Sequence, residues 1–494
     1  MSFINKLIEN KNKGENKSNR QIVHLTYFLT AVFIILITYI FVFVIKDSNE
    51  VINNSYNKRE EIYAKKTVRG AILTDNGEVL AYTDTSLGSE KRVYPYGRYF
   101  AHVVGYCTKG KAGIESICNL RLLSSNINFA DRISNELGGI KNPGDSIIIT
   151  LDLNTQIAAY EALGNNNGAV VVMDADNGYI ISMVSKPDFN PNEIDNYWNS
   201  LINDEANSSL LNRATQGIYP PGSTFKILTA LEYLKENKNT DNYDFDCNGF
   251  YEYDGTKINC YHGISHGDVD FDMSFAKSCN ASFANITTKL NKNEFRKTCE
   301  DLLFNKDIPS PTVINKSSSF ALKNSFVPIN TKSSTDELMQ TGIGQGLTEI
   351  TPYHMCLISA AIANNGVLMN PIIVKEIKTE RGEHVSGAAV NPYKRLISEE
   401  DSDKVKMLMR KVITDGTGNK LLNTNGYLAY GKTGSAEFNS NKTQSHAWFT
   451  GFAEGENGRK IAISVIVENG GSGGQVAVPI ARAVFDAYYN RKNE

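Results

Sequence analysis

The chain has 494 residues, with 51 Lys and Arg against 54 Asp and Glu, a net charge of −3. No large basic block occurs, which excludes nucleic acid as the main partner. Hydrophobic residues at 41% and charged residues at 21% exclude a disordered chain and leave material for two or three folded domains.

The first feature in chain order is the run 25–45, LTYFLTAVFIILITYIFVFVI, which holds no charged residue. As a helix it spans about 31 Å, against a bilayer core of about 30 Å. A transmembrane helix is therefore expected over 24–45. Before it, residues 1–23 carry Lys6, Lys11, Lys13, Lys17 and Arg20 against Glu9 and Glu15. The positive-inside rule makes this a cytoplasmic tail and places the rest of the chain outside the cell membrane. No Ala-x-Ala-like site follows Lys46, so an uncleaved single-pass anchor is expected rather than a signal peptide.

Residues 46–66 are polar and read as a linker. Residues 68–81 carry Asn76-Gly77 between two apolar runs, which predicts a β-hairpin. A mixed segment follows to Pro143, so 46–144 is expected to hold a linker and a small mixed domain, and 145–494 a larger one. In the larger domain, 146–150 reads as a strand and 153–163 as a helix. Residues 168–174 and 179–184 flank Asp176-Asn177-Gly178, a second hairpin. Toward the far end, 448–453 and 460–467 flank a polar turn. Val476, Ile480, Val484 and Tyr488 then recur at helical spacing in 476–489. Strands at both ends of the domain, with helical segments between, predict an α+β fold: an antiparallel sheet with helices packed on it.

The chemistry starts at Ser223-Thr224-Phe225-Lys226, directly after Tyr219-Pro220-Pro221-Gly222. Proline disfavours helical geometry in the residue before it, so a helix is expected to start at or next to Ser223. A Ser three residues before a Lys on a helix shares a face with it, a nucleophile beside a base. Ser278-Cys279-Asn280 follows, and then Lys432-Thr433-Gly434-Ser435 after a strand expected over 427–431. Ser-x-x-Lys, Ser-Asp-Asn and Lys-Thr-Gly occur together in β-lactamases and penicillin-binding proteins. All three in order are far more specific than any one.

On these residues the chain resembles the class B penicillin-binding proteins, membrane-anchored D,D-transpeptidases of peptidoglycan synthesis, over nearly everything after residue 24. Arg69-Gly70-Ala71-Ile72, with Gly77 and Leu80-Ala81, is similar to the first motif of the family's non-catalytic pedestal, a dimerisation-like domain. Gly113-Ile114-Glu115 is similar to a later one. Gly344-Gln345-Gly346 with Thr351-Pro352, and 446–451 (HAWFTG), resemble transpeptidase-domain motifs. Cys279 departs from the usual middle motif, and Ser435 stands where Thr is more usual. The resemblance implies a penicillin-binding transpeptidase fold behind the pedestal and anchor. Its implied catalytic residues are Ser223, Lys226, Ser278, Asn280 and Lys432, with Thr433, Gly434 and Ser435 binding substrate. The implied ligands are peptidoglycan stem peptides and β-lactams, the implied partner is a polytopic glycosyltransferase, and no cofactor is required for catalysis.

Rival activities differ in sequence features. A class A β-lactamase uses a Glu for deacylation, and no Glu-x-x-Leu-Asn lies between Asn280 and Lys432. A β-lactam sensor needs an output domain that a 23-residue tail does not offer, and three intact motifs argue against an idle cell-wall scaffold. A D,D-carboxypeptidase differs only in the acceptor, water instead of an amine.

Seven cysteines, at 107, 118, 247, 260, 279, 299 and 356, leave at least one thiol unpaired if the others pair. Cys279 is expected to be that thiol, and Cys299 and Cys356 are expected in the core. Cys247 and Cys260 flank a predicted hairpin followed by His262 and His266. This set suits a structural zinc, a Cys247–Cys260 disulfide, or free thiols.

Overall fold

A computed structural model of the protein describes residues 2–46, 59–86, 88–237, 239–312, 320–437 and 444–490. The chain divides into an N-terminal unit and a second unit that starts at Glu60, each taken by itself. In the first, Ser2–Lys46 is one helix, and Arg20–Phe43 within it is long and apolar enough to cross a membrane, with mean hydropathy 2.4. Phe28, Phe33, Ile37 and Phe41 are exposed around it. Thr26, Thr30 and Thr38 donate their hydroxyls to carbonyls four residues back, so these polar groups are satisfied within the helix. The linker expected over 46–66 lies partly outside the described residues; its end, Arg59–Lys66, is a short helix.

The second unit begins with a six-stranded sheet. The expected hairpin is present as Ile72–Thr74 and Val79–Asp84, turning at Gly77, whose φ of +93° suits glycine. Ser146–Ile149 lies parallel to Ile72–Thr74 and antiparallel to Val374–Lys378. The pedestal sheet thus draws strands from beyond residue 145. Its two sequence motifs meet: Arg69 and Arg92 clamp the fully buried Glu115, at 2.6 and 2.7 Å.

The larger sheet is five-stranded and antiparallel, in the order Tyr427–Glu437, Ser445–Gly455, Lys460–Val467, Gly168–Asp174, Ile180–Lys186. Distant parts of the chain close it, as the sequence predicts. Alternation sorts its side chains onto two faces. Ala169, Val171 and Met173 join the core containing Pro352–Ala363, a helix buried throughout. Val170 and Val172 join the core containing Leu163 and the terminal helix Ala477–Tyr489. Thr351 caps the central helix by accepting from the His354 N–H, with Pro352 at its first turn. Tyr427–Glu437 is an edge strand, and its Gly434 lies against Pro221 and Thr224.

Candidate active site

Ser223 sits on a 3-10 turn, Gly222–Phe225, and the α-helix proper starts at Lys226 and runs to Glu236. The turn is held from two sides. Trp448 Nε1 donates to Pro220 O at 3.0 Å. Gly222 N donates to Gly344 O at 2.8 Å. A Cβ on Gly344 would lie 2.0 Å from Gly222 O, so only glycine fits there. Ser223 opens onto a cleft of about 1180 Å³.

The second motif turns on Ser278, which holds φ +58° without being glycine. Such a conformation persists only where surroundings impose it. The turn aims Ser278 and Asn280 at two lysines. Lys226 Nζ donates to Ser278 O at 2.8 Å, Asn280 Oδ1 at 2.7 Å and Ser278 Oγ at 3.3 Å. Lys432 Nζ donates to Ser278 Oγ at 2.8 Å and to Thr433 O at 3.1 Å. Both lysines are fully buried. Burial pulls Lys226 down to about 8. Burial, then repulsion from Lys226, holds Lys432 well below the ordinary lysine range. The cationic neighbour thus acts on Lys432, whereas burial alone lowers Lys226.

Thr433, Gly434 and Ser435 line the same cleft on the edge strand. Three neighbours of this strand were not assigned to the site from the sequence, although Gln345 lies in the Gly344-Gln345-Gly346 motif. Thr417 Oγ1 lies 2.5 Å from Thr433 Oγ1. Gly473 N donates to Ser435 Oγ at 3.4 Å, and a Cβ on Gly473 would lie 2.4 Å from Gly434 O. The Gln345 amide lies against the backbone of Glu437, and with its oxygen toward Glu437 N and its nitrogen toward Glu437 O it makes both hydrogen bonds, at 3.2 and 3.1 Å. Thr417 left no motif; the Gly-rich run 470–474 was the signal for Gly473.

Of the four residues expected to suit a zinc, His262 stands apart. His262 is exposed on the turn after Cys260, its ring 4.0 Å from that of Tyr261, and it lies outside the thiol cluster. Its backbone φ of +53° carries it away, while His266 returns directly before the next strand, Gly267–Asp270. Cys279 is a free thiol, as expected, but it has close neighbours. Cys247, Cys260, Cys279 and His266 converge within 4.8 Å. The sulfur pairs 247–279, 247–260 and 260–279 are 3.4, 3.6 and 3.8 Å apart, and His266 Nδ1 lies 3.5 Å from Cys247 Sγ. Cys299 and Cys356 are buried in the core, as expected.

The family profile described as the penicillin binding protein transpeptidase domain matches residues 168–486, and the penicillin binding protein A dimerisation domain matches 69–147. Peptidoglycan D,D-transpeptidase PbpA of Mycolicibacterium smegmatis is 28% identical over 84% of this chain and 88% of its own length. Peptidoglycan D,D-transpeptidase MrdA of Acinetobacter baumannii is 29% identical over 80% of this chain and 65% of its own. The solved structure of penicillin-binding protein A from M. tuberculosis, as a penicillin G acyl-enzyme complex, has a TM-score of 0.74 and 27% identity, covering 85% of this chain and 99% of that one. The α+β fold expected from the sequence is the fold of that structure.

Proposed function

The chain belongs to the penicillin-binding protein family that carries the transpeptidase domain, and on that premise we propose how its residues work. It is a serine D,D-transpeptidase that cross-links peptidoglycan stem peptides through an acyl-enzyme and is inhibited covalently by penicillin. Ser223 Oγ forms the new bond to the carbonyl carbon between two D-alanines, and its proton passes to neutral Lys226. The N–H groups of Ser223 and Ser435 hold the resulting oxyanion, where losing one donor costs about 2.7–4 kcal/mol. The proton moves on through Ser278 Oγ, held by Lys432, to the nitrogen of the departing D-alanine as the C–N bond breaks. Thr433 and Ser435 hold the terminal carboxylate, and Gly434 lets the substrate backbone pair with the strand edge. Asn280 orients Lys226. A second stem peptide's amine then attacks the ester, forming the cross-link and returning the proton to Ser223.

One observation carries this reading: Lys226, Ser278 Oγ and Lys432 form a continuous polar chain beside the cleft that holds Ser223. The test is covalent labelling by fluorescent penicillin together with cross-linking of stem peptides. Ser223→Ala is expected to lose both; a variant still labelled covalently would sink the assignment. Release of free acid rather than cross-linked product would favour the D,D-carboxypeptidase.

The same proposal has the N-terminal end in the cytoplasm and the catalytic unit outside, with a polytopic glycosyltransferase contacting anchor and pedestal. It also includes a structural zinc on Cys247, Cys260, Cys279 and His266. Four tetrahedral ligands at usual zinc distances place two sulfurs about 3.8 Å apart and a sulfur about 3.6 Å from an imidazole nitrogen. The observed separations of 3.4 to 3.8 Å fit that set. Three converging thiols also exceed what one disulfide uses. The chemistry above is complete without the metal, whose place is to hold the fold.

A further inference from the structure

The lobe over the active site is short of apolar material. Strand Asp244–Cys247 and hairpin strands Phe250–Tyr253 and Thr256–Asn259 are mostly exposed or half-buried. Their small core consists of Cys247, Cys260, Val269, Cys279 and Ala281, so three of its five buried residues are thiols. A lobe this thin is the kind that a bound metal holds together.

One of those thiols lies inside the catalytic motif. Cys279 is bonded on one side to Ser278 and on the other to Asn280, and these two residues supply all three acceptors on Lys226 Nζ. Ser278 holds a left-handed φ of +58° just past the helix Phe271–Ala276, where Ser278 N donates to Phe275 O and Cys279 N to Ser274 O. The thiol cluster restrains the motif from its other side. Cys279 Sγ accepts from Ser282 N at 3.3 Å and so caps the helix Asn280–Lys289. Ala281 N reaches Cys260 Sγ at 3.5 Å, and Asn280 Nδ2 donates to Asn259 O at 3.1 Å, one residue before Cys260. Lys257, Asn259 and Tyr261 on the same hairpin line the cleft.

Resting on the zinc reading above, we infer that Cys279 is a positioning residue whose metal bond holds Ser278 and Asn280 on Lys226, so that the rate of acylation at Ser223 depends on metal occupancy. The structural metal and the catalytic motif are then one device. A Cys between the Ser and the Asn of the second motif has a purpose that core packing alone does not give it. The metal takes no part in bond making; it sets where the acceptors of Lys226 stand.

The experiment uses the full chain in detergent. Zinc is counted by elemental analysis, and cobalt substitution gives a thiolate charge-transfer band that reports the ligand set without any catalysis. Binding and acylation by fluorescent penicillin are separated into a dissociation constant and a first-order acylation constant, which counts only molecules that go on to label. Expected are one zinc per chain, and an acylation constant about 10–100-fold lower after chelation, the range found when support around a metal site is lost. The dissociation constant should change far less, and added zinc should restore the rate. His266→Ala, which touches neither Ser278 nor Lys226, should behave like the stripped chain and regain rate and cobalt band together as imidazole is added. Zinc present with an unchanged acylation constant in both the stripped chain and His266→Ala would overturn the positioning role and leave the metal site standing. No zinc and no cobalt band would overturn the metal site and the inference with it, while Ser223 labelling would still stand or fall separately.

Discussion

At the scale of single residues, Lys226 decides the pH dependence. Its ammonium satisfies three acceptors, so the base of the proposed mechanism is the deprotonated form. Burial brings Lys226 down to about 8. Below that value it is charged and unable to take the Ser223 proton; above it, it is neutral and able. At pH 7 about a tenth is neutral. The acylation constant should therefore rise about tenfold for each pH unit up to 7 and level off above 8. Stopped-flow labelling across pH 6 to 9 checks this, and a flat profile would remove Lys226 as the base. Gly344→Ala probes position instead of charge. Its Cβ would meet Gly222 O at 2.0 Å, at a φ of +75° that favours glycine. The turn bearing Ser223 must shift, and a displacement near 1 Å costs about 100-fold in rate. Single-turnover acylation of the folded variant measures it.

At the scale of elements, the pedestal rests on an ion triad. Burial alone would raise the Glu115 carboxyl, but Arg69 and Arg92 hold it below the ordinary range. A folded-state value below the unfolded one stabilises at neutral pH, and that stability is lost as pH falls through the depressed value. Glu115→Gln leaves two largely buried guanidinium groups short of their counter-charge. It should cost about 3–5 kcal/mol in denaturant unfolding of the pedestal, while Ser223 labelling at low temperature persists. The same triad shows what was legible beforehand. Arg69 and Glu115 were visible as parts of two separate motifs; that they close on one another through Arg92 was not, because pairing at such separation depends on the tertiary path. The three catalytic motifs were legible because each is local. The thiol cluster was legible only in part: Cys247 and Cys260 share a hairpin, but Cys279 arrives from a helix start 32 residues after Cys247. His262 was the wrong histidine because its own backbone turn, not its spacing, decides where it points.

At the scale of the whole molecule, the membrane segment and the chemistry fall in different units. Every residue of the cleft lies beyond Glu60, and the helix that fits a bilayer lies before it. The core behind Ser223 runs from Ile72 in the pedestal to Ile466 in the larger sheet, and the pedestal sheet is completed by 374–378 and 384–387. A chain that begins at residue 60 should therefore stay soluble without detergent and acylate at the rate of the full-length protein. Side-by-side labelling of the two purified forms tests it. Equal rate constants would place the N-terminal helix outside catalysis. A slower shortened chain would mean that the anchor, or the detergent around it, props the pedestal, and the two units would then have to be counted as one in catalysis.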